Sequence, residues 1–273
     1  MGSPYFYEVV FMSIICPLFS GSTGNSTYVG TKDCGILIDT GASAKGIKAA
    51  LENCGSDFCD IKVIAVTHSH DDHIKGLKAV LNKTRASVFA SKSTAEALTH
   101  KGLIDKGTKI IIANEEDYIL GDTCIKSFPT SHDAQGSCGF NVLLPDGKKF
   151  SLCTDTGIIT EEISKNLLCS DVVLIESNHD IEMLKKGPYP PFLKVRIMSD
   201  TGHISNSVCA NEVLNLFKNG TTRFILGHLS MNNNTPLLAQ STNESVLMDI
   251  GAKNSKDYIL TVAKPNGNGV TVI

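Results

Sequence analysis

Apolar residues recur along this chain with two periods, and the alternation between them predicts a layered α/β protein. Short apolar runs at 13–19, 27–29, 35–38, 61–66, 87–90 and 109–113 read as strands, the first two separated by the Gly-rich turn at 20–26. Helical spacing covers 44–53, where Ile47, Ala50 and Leu51 share a face, and then 74–81 and 94–98. Runs at 124–128, 139–144 and 149–153 follow one another closely and predict consecutive strands of an antiparallel sheet. Beyond them the alternation resumes, with helices expected at 161–167, 207–218 and 236–250 and strands at 172–176, 223–227 and 258–262. Two sheets with helices outside each is the simplest packing of this inventory.

With 273 residues and no linker-like stretch, the chain is expected to form one domain over 12–273. Residues 1–11 precede a second methionine, Met12, and read as an N-terminal extension or alternative start. They lack a basic segment ahead of the apolar stretch and a small-residue cleavage site, so a cytoplasmic protein is expected. No apolar run approaches the roughly 20 residues of a membrane span, and no membrane partner is expected. A formal net charge of -3 gives no global pull toward nucleic acid, so such binding needs a local basic patch. Nine cysteines without a C-x-x-C pair argue against a disulfide framework and a thiolate metal site.

The chemistry concentrates in Thr67-His68-Ser69-His70-Asp71-Asp72-His73, directly after the apolar run 61–66. Three of the eight histidines fall within six positions, which a merely polar connection does not require. Side chains alternate along an extended strand tail, so His68 and His70 face one side and can share a metal. Asp72 and His73 follow on a turn and reach toward a second. Imidazole nitrogens and carboxylate oxygens are ligands for Zn²⁺, Mn²⁺ or Fe. Three further ionisable residues stand at predicted strand ends: His132, Asp155 and His228. Each alone has an ordinary alternative as a surface, capping or turn residue.

In this order the residues resemble the metallo-β-lactamase fold, a four-layer αββα sandwich, over nearly the whole chain. The resemblance implies His68, His70 and His132 on one divalent metal, Asp72, His73 and His228 on a second, and Asp155 bridging them. It also makes Asp39 an orienting residue behind the ligands. The stretches 18–26, 154–157, 176–180, 187–190, 202–206 and 227–234 are similar to the YycJ/WalJ-type branch of nuclease-like proteins. That likeness implies a metal-dependent exonuclease acting 5′ to 3′ on duplex DNA, in which a hydroxide held between the metals attacks phosphorus.

By the same resemblance, His203 is the general acid that protonates the leaving oxygen and Glu176 orients it, with His179 near the phosphate. The alternative for His203 is a place in the N-terminal cap of the helix at 207–218, beside Ser205 and Asn206. Between Lys185 and Arg196 four cations occur with no acid, interleaved with Tyr189 and Phe192. Lys185, Lys186, Tyr189, Lys194 and Arg196 are thus candidate nucleic-acid contacts, or else a Pro-stiffened loop with its aromatics on the core. Lactonase, thioesterase and glyoxalase II-like hydrolysis on the same fold remain open, as does RNA processing. A β-CASP ribonuclease is disfavoured, because too few residues separate Asp155 from His228 to house its insertion.

Overall fold

The computed structural model describes residues 13–31, 34–113, 117–267 and 271–272. The expected extension 1–11 lies outside them. Two seven-stranded sheets stack face to face, each with helices on its outer side, giving the expected αββα sandwich. The first sheet opens with strands β1 (Ile14–Phe19), β2 (Ser26–Thr31) and β3 (Cys34–Ile38), an antiparallel meander. Then β4 (Ile61–Val66), β5 (Ser87–Ala90) and β6 (Ile110–Ile112) continue parallel to β3.

The second sheet begins with β7 (Tyr118–Leu120), β8 (Thr123–Pro129), β9 (Cys138–Leu143) and β10 (Lys149–Cys153), all antiparallel as expected for the last three. The strands β11 (Val172–Glu176), β12 (Arg223–Gly227) and β13 (Ile259–Val262) extend it in parallel. The pair β14 (Thr271–Val272) returns to the outer edge of the first sheet against β1.

Between the sheets, Ile36, Val63 and Phe89 of one meet Phe140, Phe150 and Val172 of the other. Each sheet's opposite face is closed by helices. On the first, α1 (Ala44–Asn53) buries Ile47 and Leu51, the face predicted by its spacing. On the second, α8 (Asn206–Lys218) buries Cys209, Val213 and Leu216 against Ile175 and Leu226. Parallel strands covered on both faces must be apolar throughout, which is why β4, β11 and β12 were legible as continuous runs.

The structure departs from expectation in three places. The helix expected at 74–81 is broken: α2 (Asp71–Ile74) ends and α3 (Leu77–Thr84) begins around Gly76. A Cβ at Gly76 would stand 2.1 Å from the Ala42 carbonyl oxygen, so the break is a point where two backbones touch. Asp72 and His73 accordingly sit in a short helix rather than a turn. The basic stretch is no loop but the helices α6 (Ile181–Lys186) and α7 (Pro191–Ile197). Pro191 is at the first helical position, where a missing N–H costs no hydrogen bond. The edge strands β7 and β14 were not expected.

Phe140 has no exposed surface and lies in the seam between the sheets. Phe140→Ala is expected to lower the unfolding free energy by about 3–5 kcal/mol, read by denaturant titration.

Candidate metal centre

The predicted ligands, Asp39, Glu176 and His203 meet at one edge of the sandwich, at the carboxyl ends of strands, and of the candidate contacts in the basic stretch only Tyr189 and Arg196 reach them. Asp39 follows β3, Thr67 and His68 follow β4, and His132 lies just past β8. Asp155 follows β10, Glu176 ends β11 and His228 follows β12. In open α/β sheets this edge is where ligands bind, because connections leave it free and diverge there.

The ligand-bearing atoms converge. One nitrogen each from His68, His70 and His132 lie within 4.8 Å of one another, and so do ligand atoms of Asp72, His73 and His228. Asp155 belongs to a third such group with His68 and His73. Its Oδ2 is 3.4 Å from His73 Nε2, and its Oδ1 is 3.8 Å from His132 Nε2.

Outer contacts fix each ring. Asp39 Oδ2 accepts from His73 Nδ1 at 2.8 Å and from the Thr67 hydroxyl at 2.8 Å, while Oδ1 accepts the Thr67 N–H at 2.9 Å. His132 Nδ1 donates to the Gly202 carbonyl at 3.2 Å. Glu176 is fully buried, and its Oε1 accepts from both His203 Nδ1 (2.8 Å) and His228 Nδ1 (2.6 Å). Its Oε2 accepts the N–H groups of Thr156 (3.3 Å) and Ile204 (3.2 Å). The cap of α8 is Ser205, whose hydroxyl accepts from Val208, so His203 is not the capping side chain.

Charge makes the site's demand explicit. Burial alone would raise the Asp72, Asp155 and Glu176 carboxyls, yet their histidine partners hold all three below the ordinary range. Burial alone would lower His73, but the Asp155 and Asp39 carboxylates push it up to about 9. His228 likewise overcomes burial and is driven well above its usual value by Asp155, Asp72 and Glu176. His68, in contrast, is pushed well down by burial and by neighbouring histidines.

The acids demand positive charge that imidazoles alone supply only by taking protons. Divalent cations fit that demand. Three buried atoms aimed into the cluster, His68 Nε2, Asp155 Oδ2 and His228 Nε2, have no hydrogen-bond partner among the protein groups, as ligand atoms would. The nitrogen and oxygen donor set suits first-row metals.

Backbone geometry carries strain here too. Asp39 (φ 60°), Asp155 (φ 57°) and His228 (φ 55°) are all left-handed without being glycine. Tight loop contacts hold them. The Asn25 N–H donates to the Asp72 carbonyl at 2.8 Å, and the Gly41 N–H to the Asn25 carbonyl at 2.7 Å. The Asn25 amide nitrogen stands 3.0 Å from His73 Nε2 and 3.3 Å from Asp72 Oδ2. Behind His228, Ser20 Oγ accepts its N–H at 2.8 Å and the Asn178 amide donates to its carbonyl at 2.9 Å.

Asn25, Thr67, Ser20 and Asn178 are the site residues that the sequence reading missed. Asn25 and Ser20 lay in the Gly-rich turn, which was the available signal. Asp133, also missed, places Oδ1 3.6 Å from His70 Nε2 and binds Arg196 Nε through Oδ2 at 2.6 Å.

A cleft of about 240 Å³ opens onto this cluster. The metal-side residues His70, Asp72, His132 and Asp155 form its floor with His203 and His228; Tyr189, Leu193, Arg196 and Ile197 form the α7 side. Lys185, Lys186 and Lys194 do not line it. Two of them pair with Glu182 on the outer surface, and Lys194 caps the Lys185 carbonyl. His179 is buried behind the cleft, with no partner for Nδ1.

Fold and site together define a metal-binding hydrolase of the metallo-β-lactamase type. A sequence model described as "Beta-lactamase superfamily domain" matches residues 35–229, and the chain belongs to that superfamily, in its YycJ/WalJ branch. It is 37% identical over 235 residues to "Exodeoxyribonuclease YycJ" of Bacillus anthracis, covering 86% of this chain and 89% of that protein. It is also 37% identical over 239 residues to "Exodeoxyribonuclease WalJ" of Streptococcus pneumoniae, covering 86% and 88%. The metallo-β-lactamase fold protein YhfI of Bacillus subtilis superposes with a TM-score of 0.72 over 96% of this chain and 99% of that one, at 13% identity. No helix of the described residues is long and apolar enough to cross a membrane.

Two outcomes follow from this geometry. A Cβ at Gly41 would lie 1.6 Å from the Asp72 carbonyl oxygen, so Gly41→Ala must displace the segment bearing Asp72 and His73. It is expected to cost at least about 2 kcal/mol and to reduce bound metal per chain, measured by calorimetry and elemental analysis. Burial holds His179 down to about 4, with Glu176 opposing and His203 reinforcing the drop. The unfolded chain, with an ordinary histidine, takes up that proton first as pH falls. Stability should therefore decline between about pH 6.5 and 4 by up to about 3 kcal/mol from this residue, and His179→Gln should flatten that limb of the stability curve.

Proposed function

We propose that this hydrolase is a two-metal DNA exonuclease that removes nucleotides 5′ to 3′ from duplex ends, with His203 as the general acid. The observation that carries the reading is the His203–Glu176 pair. His203 faces the cleft beside the ligand set, held through Nδ1 by a buried glutamate at 2.8 Å. Glu176 also steadies the His228 ring, but His203 is outside the proposed ligand set, and expelling an alkoxide from a phosphodiester needs a positioned acid. The exodeoxyribonuclease names of the 37% identical relatives point the same way.

His68, His70 and His132 would hold one divalent cation, Asp72, His73 and His228 the other, with Asp155 shared between them. When bound, the cations supply Lewis acidity toward a phosphoryl oxygen and activation of water. Everything else falls to the chain. Burial works against the His203 imidazolium, but the Glu176 carboxylate raises its pKa above the ordinary value and so favours the protonated form. With Nδ1–H fixed on Glu176, the proton on Nε2 is the one delivered to the leaving 3′ oxygen. Leu193 and Ile197 exclude water from one side, and Asp39 keeps His73 in the tautomer that leaves Nε2 free.

The test is digestion of end-labelled duplex DNA, single-stranded DNA and RNA with Mn²⁺ or Zn²⁺. Duplex DNA should shorten from its 5′ ends, and chelator or Asp72→Ala should abolish the reaction. His203→Ala should slow it by about 10²–10⁴-fold without loss of bound metal. Folded, metal-loaded protein that cleaves no nucleic acid would transfer the site to a small ester, thioester or lactone.

A further inference from the structure

Helix α7 carries an aromatic side chain that neither the core nor the chemistry of the cleft explains. Phe192 leaves 74% of its surface in solvent, which sets aside, for this ring, the second of the two readings of the stretch, in which its aromatics pack on the core. Burial of an aromatic ring is worth more than that of almost any other side chain, so a ring left out of the core on a helix that borders the cleft is a candidate contact for what enters it.

Phe192 precedes Arg196 by four residues, so the two are neighbours on one face of α7. Arg196 lines the cleft and Phe192, one turn earlier, lies outside that lining, so the helix spacing points its ring toward the cleft's outer margin. The rim is anchored rather than loose. Arg196 Nε binds Asp133 at 2.6 Å, and Asp133 in turn lies 3.5 Å from His132 Nε2. Tyr189, on the same wall, accepts a hydrogen bond from the Asn232 amide at 3.0 Å.

The cleft itself limits what can enter. At about 240 Å³ it falls below the roughly 300–1,000 Å³ of pockets that enclose drug-sized ligands. That space is nearer the scale of one nucleotide than of a base pair. A duplex end that gives up its terminal nucleotide would bring the phosphodiester to the candidate metal ligands without fitting a whole base pair into that space. Unstacking and unpairing a base costs a few kcal/mol, and stacking on a protein ring returns about 1–3 kcal/mol per base. Between Ile181 and Ile197 the α6–α7 hairpin carries four cations and one carboxylate, which suits an incoming phosphate backbone.

We propose that Phe192 is a strand-separating residue, its ring stacking on the base exposed when the terminal nucleotide of a duplex DNA end enters the cleft. The proposal rests on the exonuclease reading. It assigns substrate selection at the rim to an exposed ring that the basic side chains only support.

The experiment compares wild type, Phe192→Ala and Phe192→Trp on two end-labelled DNAs in Mn²⁺. One is a blunt duplex and the other is the same duplex with an unpaired 5′ tail. Because Phe192 is exposed, both variants should fold as wild type does. Phe192→Ala should digest the blunt end about tenfold more slowly, the equivalent of losing about 1.4 kcal/mol of stacking. Its loss on the unpaired tail should be under about threefold, and Phe192→Trp should restore the blunt-end rate. Equal loss on both substrates, or no loss on either, overturns the role of Phe192 while leaving the exonuclease reading standing. Wild type that digests neither DNA overturns both.

Discussion

Asp39, Asp72, Asp155 and Glu176 crowd one edge of the sandwich with six histidines, most of these groups out of contact with water. Like charges cannot share a low-dielectric site without compensation, and here the compensation is arranged as contacts between acid and imidazole. Asp39 takes His73, Glu176 takes His203 and His228, and Asp155 stands among His73, His132 and His228. The raised values of His73 and His228 and the depressed ones of Asp72, Asp155 and Glu176 are one fact seen from both sides. The cluster is built around positive charge, a requirement that divalent cations would meet without binding protons.

The fold serves this cluster by delivering its members on backbone that no ordinary loop would adopt. Three of the residues are left-handed at strand ends, a conformation that costs about 1–3 kcal/mol each and persists only when the surroundings fix it. The surroundings are loops in direct backbone contact. Gly24 against Gly41, Gly41 against Asp72, and Gly76 against Ala42 approach so closely that a Cβ on any of them would collide with backbone. Those glycines lie at the turn 20–26, after β3 and after the histidine motif, so the three segments lock one another.

Function sits on the asymmetry of the cleft. Its floor is a polar cluster contributed by strand ends of both sheets, whereas its α7 side is mostly apolar and aromatic. Under the exonuclease proposal, a phosphodiester would use that contrast, its charged centre on the floor and its sugar and base against the helix. Of the basic residues anticipated on this segment, only Arg196 reaches the cleft, and it does so already tied to Asp133. Charge from this segment is thus confined, on the cleft's lining, to one residue that already has a partner.

The chain's own pattern determined the αββα layering, because each buried strand and amphipathic helix states its partner faces through period and polarity. The dense histidine motif likewise declared a metal site, and strand-end positions drew in His132, Asp155 and His228. Sequence did not reveal α7, since two prolines read as a loop until the structure puts Pro191 where no N–H donor is needed. Nor did it reveal β7 and β14, whose pairing along sheet edges is too short to leave a period. Asn25, Thr67, Ser20 and Asn178 were invisible for a different reason. They are ordinary polar residues whose roles arise from contacts with chain up to 208 residues away, as in the Ser20 bond to His228. The residue types that can bind metal are local information; which of them meet, at what angle and in what field, is decided only when distant strand ends are packed onto one edge.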